Sequence, residues 1–261
     1  MFYLIERVYM INDELMNTIG QARRILIFSG AGMSAESGVP TFRDELTGLW
    51  EQYDPMDLAT PEAFERDPAL VWGWYMWRRQ QVAAVEPNAG HRARAAGHRF
   101  YPLRIVTQNV YDLHERAGSY WGVHVHLVLF GSHCHRCRAP HKPTALEETS
   151  EQIGQPIDPP HCKLCGGLVR PSVVWFGEAL DEASLRAAIY EAENSDLVLA
   201  IGTSGLVQPA ALVPQWAKDQ GAQVIQINPN PTALDELCDI NIRSTAAHVL
   251  PQIVEKLGIH N

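Results

Sequence analysis

The segment GVHVHLVLFGSHCHRC, residues 122 to 137, carries four histidines and two cysteines in sixteen positions. Thiolates and imidazoles ligate zinc, and a neutral imidazole moves protons near pH 7. Spacing begins to separate the two roles. Cys134-x-x-Cys137 recurs as Cys162-x-x-Cys165 after 24 intervening residues, 138 to 161. Two such knuckles supply four thiolates to one tetrahedral Zn2+. Four sulfurs leave no open coordination position, so this zinc is expected to be structural and His133, His135 and His161 to stand outside it. Cys238 is left over and reads as a small buried hydrophobe. The alternation of VHVHLVLF (123–130) predicts a strand with His124, His126, Val128 and Phe130 on one face. Periodicity alone does not say which histidine is a base and which a core residue.

A second cluster of chemistry is SGAGMSAESG (29–38), directly after an apolar run. Gly30 and Gly32 are expected to adopt positive φ and to let the backbone, Ala31 included, approach a phosphate. Gly30-x-Gly32-x-x-Ala35 meets the dinucleotide fingerprint formally. The acidic residue that should close a second strand about 20 residues on is missing, because that region reads LWEQYDPMDLATP. Arg43, in GVPTFRD, is placed to reach a pyrophosphate or a ribose. A dinucleotide is expected, held otherwise than in ordinary dehydrogenases.

The elements that must position these residues are visible as apolar runs with polar ends. RRILIF (23–28) runs into the glycine loop, LRIVT (103–107) into QN, SDLVLAI (195–201) into GTSG and AQVIQI (222–227) into NPNP. Continuous Ile/Leu/Val runs of this length fit parallel strands covered on both faces. Helical patterns lie at 12–22, 61–83, 88–98, 181–194 and 208–220. The alternation predicts an α/β fold, a doubly wound parallel sheet of Rossmann type, with ligands at the carboxyl edge of the strands. Residues 54–84 and 131–171 break the rhythm. They are expected to form a smaller domain, a helical insertion plus the four-cysteine zinc module, beside a Rossmann-like domain of residues 1–53, 85–130 and 172–261.

The whole composition agrees with one large α/β domain and a small insert: 261 residues, 46% hydrophobic, 20% charged. A net charge of −9 argues against a nucleic-acid partner. No run of about 18 apolar residues suggests a membrane span, and MFYLIERVYMINDELMN lacks the order of a secretory signal. A cytoplasmic protein is the expectation, with Met1 or Met10 as its start. The oligomeric state is not legible.

Taken together, these motifs resemble the sirtuins, NAD-dependent protein-lysine deacylases. The resemblance runs from about residue 12 through GAGMSAESGVPTFRD, PNAGH (87–91), TQN (107–109), LHERAG (113–118), VHVH (123–126), both CxxC pairs, RPSVVWFGE (170–178), GTS (202–204) and IN (227–228). It implies NAD as co-substrate, one structural zinc, and acylated lysine in a protein or peptide as substrate. In that chemistry the acyl oxygen displaces nicotinamide from the ribose, and a neutral histidine then takes a proton from a ribose hydroxyl. The resemblance makes His126 that base and His124 its structural neighbour. It also gives Gln108 and Asn109 to the nicotinamide ribose, Phe42 and Arg43 to the nicotinamide end, Gly202, Thr203 and Ser204 to the phosphate and ribose side, Asn228 to the adenosine ribose and Ala246 to the adenine, with Tyr111 and Asn230 also expected on the cofactor. Val174 to Glu178, with Phe176 and Gly177, would pair with the substrate backbone as an added strand.

Within the family, Tyr75-x-x-Arg78 and Ala59 resemble the branch that removes succinyl and malonyl groups. Arg78 offers a planar fork to a distal carboxylate and Tyr75 a further donor. The tryptophans of VWGWYMWRRQ (71–80) read as core. Three positions depart from the family pattern. Tyr111 stands where an aspartate usually holds the nicotinamide amide, and Leu127 and Val128 follow the histidine where glycine and a polar residue are usual. The departures leave open an altered acyl preference, a catalytically impaired NAD or acyl-peptide binder, or a neutral repacking. A glycohydrolase or ADP-ribosyltransferase using the same pocket is the rival enzyme.

Overall fold

The computed structural model describes residues 11–39, 53–54, 58–97, 101–119, 122–142 and 155–259. Along the chain these form α1 (Asp13–Gln21), β1 (Ile25–Ser29), α2 (Pro61–Arg66), α3 (Pro68–Ala84), α4 (Ala89–Gly97), β2 (Leu103–Thr107), α5 (Leu113–Arg116), β3 (Gly122–His124), β4 (Leu127–Cys134), β5 (Pro140–His141), β6 (Val169–Val173), α6 (Glu182–Glu193), β7 (Leu197–Ile201), α7 (Val213–Asp219), β8 (Gln223–Ile227), β9 (Ile240–Ile242) and α8 (Ala246–Lys256).

The larger sheet has the order β3-β2-β1-β7-β8-β9, with every neighbouring pair parallel. The chain builds outward from β1 through β2 to β3, then returns to the other side of β1 with β7. The connection therefore reverses direction between β1 and β7, the switch point at which doubly wound sheets open a crevice. Alternate residues of each strand serve opposite faces. Ile25 and Ile27 pack with α1, α4 and α8, whereas Leu26 and Phe28 pack with α6 and α7.

The smaller sheet is antiparallel, β5-β4-β6, and shares a core with α2 and α3 that includes Phe64, Trp72, Trp74, Tyr75 and Trp175. The predicted helix over 61–83 is two helices. Asp67 ends the first and, with its side chain accepting from the Leu70 N–H, caps the second, and Pro68 opens it. The predicted helix over 208–220 shortens to one 3-10 turn and α7. Neither β9 nor α8 was legible as an element, the first because it is three residues long and the second because Pro251 interrupts its pattern.

The single strand predicted over 123–130 is not formed. β3 ends the parallel sheet at His124, Val125 and His126 make a turn, and β4 starts the smaller sheet at Leu127. The turn is possible because Leu127 adopts φ +60, in the left-handed region. The break also puts residues 127–130, expected in the Rossmann-like part, into the strand that runs on to the zinc-module cysteines.

Candidate active site and metal centre

The carboxyl ends of β1, β2, β7 and β8 come together through their own main chain. The Gly30 N–H donates to Ile201 O and the Gly32 N–H to Gly202 O, both at 2.9 Å. A Cβ on Gly30 would lie 2.7 Å from Gly202 O, and one on Gly32 2.8 Å from Gly202 Cα. Close approach is thus what these glycines provide. The positive φ expected of Gly30 and Gly32 is absent; Gly30 has φ −118, and the left-handed residue is their neighbour across the crevice, Gly202, at φ +59.

Short polar side chains complete this edge. The Asn109 amide donates to Gly30 O at 3.0 Å, the Thr203 hydroxyl to Gln108 Oε1 at 2.7 Å, and the Asn228 amide to Thr203 O at 3.0 Å. Asn228 Oδ1 accepts from the Asn230 N–H at 3.2 Å, and Ser204 O accepts from the Ala233 N–H. Gly30 to Gly32, Gln108, Asn109, Thr203 and Asn228 therefore form one bonded group. Ala246 begins α8 and is buried; its carbonyl is where a Cβ on Gly90 would intrude, at 2.9 Å. Phe42 and Arg43 lie outside the described residues.

The two histidines of the turn are distinguished by their partners. His126 Nδ1 lies 2.9 Å from Gln108 O. A carbonyl only accepts, so Nδ1 carries the proton, and the Nε2 of the neutral ring keeps its lone pair. Burial holds the His126 pKa below the ordinary imidazole value, with the Gln108 bond opposing, so the ring is neutral at pH 7. His124 has an acceptor at each end, Asn109 O at 2.7 Å from Nδ1 and Glu115 Oε1 at 3.1 Å from Nε2. Burial works against its charge, but Glu115 and Asn109 outweigh it, and the pKa is raised. His124 is built to hold a proton and His126 to take one.

The smaller sheet with α2 and α3 buries the residues expected to meet the acyl chain. Ala59, Tyr75 and Arg78 are all buried. The Tyr75 hydroxyl accepts from the Trp175 indole N–H at 2.9 Å, and the Arg78 guanidinium lies 5.3 Å from the Trp74 ring centroid. Tyr111 belongs to the same core as Tyr75 and Trp175.

The segment after β6 is held down from within. The N–H groups of Val174 and Phe176 donate to His126 O at 3.0 Å and Ala59 O at 2.9 Å, and that of Glu178 to Trp175 O. Glu178 also turns inward: its carboxylate takes both ends of the Arg170 guanidinium, at 2.6 and 2.8 Å, and the Trp175 N–H at 2.8 Å. The carboxylate thus staples the loop instead of facing a substrate, and an added strand must use the segment's carbonyls or the Gly177 N–H.

Sequence reasoning passed over several residues that hold this site. Asn88 accepts from the first N–H groups of α4 and donates to Met33 O at 2.9 Å; the PNAGH stretch contained that cap signal. Arg79 donates to Leu129 O, Gly131 O and Ser132 Oγ at 2.7, 2.7 and 2.9 Å. It secures the bulge of β4 whose exposed outer side chains are Val128 and Phe130.

Among the described residues, the sulfurs of Cys134, Cys137, Cys162 and Cys165 lie within 4.8 Å of one another. Two of the separations are 3.5 and 3.7 Å. Tetrahedral Zn–S bonds place sulfurs about 3.8 Å apart, so the four fit one zinc. His133, His135 and His161 face Ser172, Glu65 and Gly166 O instead. The cysteines begin at the far end of β4, roughly 20 Å of strand from His126, which makes the metal a staple of the small sheet.

Comparison with known proteins agrees with this arrangement. The Sir2 family model matches residues 30–209. The chain is 50% identical over 243 residues to NAD-dependent protein deacylase 1 of Pseudomonas aeruginosa, covering 93% of this chain and 97% of that protein. It is also 50% identical over 248 residues to the NAD-dependent protein deacylase of Methylococcus capsulatus, covering 94% and 97%. Among solved structures, a Sir2 homologue in complex with NAD superposes with a TM-score of 0.87 at 40% identity, covering 95% of this chain and 94% of that one. A Sir2 with a p53 peptide and NAD+ superposes at 0.81 with 25% identity, covering 95% and 99%. The chain therefore belongs to the Sir2, or sirtuin, family.

Proposed function

We propose that this protein removes acyl groups from lysine side chains with NAD as co-substrate, yielding nicotinamide, O-acyl-ADP-ribose and free lysine. The observation that carries the reading is His126. Its ring is neutral, its tautomer is fixed by Gln108 O, and its basic nitrogen is free at the edge where four strands deliver residues 30–32, 108–109, 202–204 and Asn228. NAD supplies the electrophilic ribose carbon. The residues proposed to hold it are that bonded group, with Asn230 and Ala246 on the adenosine side and Phe42 and Arg43 at the nicotinamide end. His126 takes the ribose proton, a step of the kind that contributes about 10²–10⁴ in rate.

The acyl-lysine enters from the side of residues 174–177, its chain directed to Ala59, Tyr75 and Arg78. The buried Arg78 beside the Tyr75 hydroxyl supports a preference for succinyl or malonyl over acetyl. The cluster of Cys134, Cys137, Cys162 and Cys165 holds a structural zinc, and among the described residues no helix is long and apolar enough to cross a membrane.

Purified protein incubated with NAD and acetyl-, succinyl- and longer acyl-lysine peptides is expected to give O-acyl-ADP-ribose by mass spectrometry. His126→Ala should lower that product by at least about a hundredfold. Free ADP-ribose without acyl loss would point to a glycohydrolase, and intact NAD to a binding protein.

A further inference from the structure

On the deacylase reading, we infer that the Tyr111 hydroxyl is a specificity-determining donor, acting with Arg78 and Tyr75 on the distal carboxylate of a dicarboxylic acyl chain. Tyr111 follows the TQN loop at the end of β2, and its ring enters the aromatic core. It is 5% exposed and packs in the core that contains Ala59, Tyr75, Leu113 and Trp175. Its hydroxyl is fully buried and makes no hydrogen bond of standard geometry. Buried hydroxyls almost always have a partner, and one without is a standing cost unless a ligand supplies it.

The chemistry around the hydroxyl says which ligand. Ser34 Oγ is in polar contact with it and Arg78 acts on it electrostatically, but the Ser34 contact falls short of hydrogen-bond geometry, and Ser34 Oγ also lies 3.2 Å from His91 Nε2. Arg78 interacts electrostatically with two phenols, Tyr75 and Tyr111. Burial pushes the Tyr111 pKa up to about 12, with Ser34 and Arg78 opposing, so the phenol stays protonated and can donate. Tyr75 accepts from Trp175 and so keeps its own hydroxyl hydrogen for a ligand. Guanidinium and two protonated phenols make an environment rich in donors. A carboxylate, which only accepts and offers about four lone-pair positions, satisfies it. An amide does so less well, because its NH2 needs acceptors that Arg78 cannot provide. An acetyl group ends in a methyl, which has no distal acceptor for these donors.

Tyr111→Phe removes the hydroxyl and keeps the ring. Calorimetric titration of the ligand-free protein with succinyl-lysine and acetyl-lysine versions of one peptide should show the succinyl preference falling about tenfold, as expected for one lost bond to a charged acceptor. Since only the poorly aligned Ser34 contact is lost, the Tm of the ligand-free variant should stay within about 2 °C of the parent's. An unchanged preference overturns the inference. So does a Tm several degrees lower, which would assign the hydroxyl to the fold, and so does a loss of NAD affinity in place of succinyl affinity. The two readings fail separately. Turnover of acetyl peptide without any succinyl preference in the parent removes the Tyr111 role and leaves the deacylase. Absence of turnover with every peptide removes the deacylase, while the titration still judges Tyr111.

Discussion

The two walls around His126 are made differently. The wall proposed for the cofactor is main chain against main chain, β1 loop on β7 loop, with glycines where a methyl group would not fit and Ser, Thr, Asn and Gln elsewhere. The wall proposed for the acyl chain is long side chains from α3, the segment after β6 and the loop after β2, meeting in an aromatic core. The first is fixed by sheet topology and tolerates almost no exchange. The second can be retuned by exchanging side chains over an unmoved backbone, and Tyr111 is such an exchange on the family pattern.

The sharpest way to break the contrast is Gly202→Ala. The new Cβ would lie 2.3 Å from Met33 N, at a residue with φ +59. Left-handed backbone costs alanine about 1–2 kcal/mol and overpacking about 1–3. The sum, about 2–5 kcal/mol, is a Tm lower by roughly 4–10 °C, with NAD affinity lost as the two loops part. Calorimetry with and without NAD measures both. A variant that melts like the parent would show that the loops are not in van der Waals contact.

A smaller effect separates the two histidines by pH. In the proposed role of base His126 must be neutral, and its pKa is lowered by burial. The acid limb of kcat/KM should therefore have its midpoint below 6.5, and activity should be on its plateau at pH 7. His124 runs the other way. Its pKa is raised in the fold, so the stability it contributes is complete below the unfolded value of about 6.5 and fades as pH rises through the folded value. Glu115, whose pKa is lowered by His124 and its backbone against the effect of burial, contributes above about 4.5 and loses this as pH falls. The pair is thus worth most between these limits, of order 1 kcal/mol because Glu115 is partly exposed. The Tm gap between the parent and His124→Gln should be widest near pH 5.5 and narrow by pH 9. A gap independent of pH would mean that the ring packs without carrying charge.

The same two walls explain what the sequence disclosed. The strands at 25–29, 103–107, 197–201 and 223–227 were legible because Ile, Leu and Val must cover both faces of a buried sheet, and their polar tails mark its carboxyl edge. The four cysteines were legible because zinc fixes their spacing. The VHVHLVLF run misled because alternation continues by accident through a turn: Val125 and Leu129 are both buried, but in different cores. The inward turn of Glu178 was not readable either, since its partner Arg170 lies eight residues away across a loop. Orphan atoms such as the Tyr111 hydroxyl exist only as a relation among elements, and no local pattern encodes them.

The smallest expected effect tests the joint between the walls. Leu127 holds φ +60 directly after His126 and pairs with Val173 of β6. A γ-branched side chain carries that conformation at a cost of about 1–2 kcal/mol. Leu127→Gly removes the cost but adds chain entropy to the unfolded state, about 0.5–1 kcal/mol, so its Tm should lie within about 3 °C of the parent. Leu127→Ile adds branching at Cβ, which crowds left-handed backbone further, and should melt lower than either. The order Gly at or above Leu, and Leu above Ile, is what a left-handed joint requires. If Ile and Leu melt together while Gly falls, position 127 is ordinary extended strand. The turn that aims His126 at the cofactor edge would then have to be made by other residues.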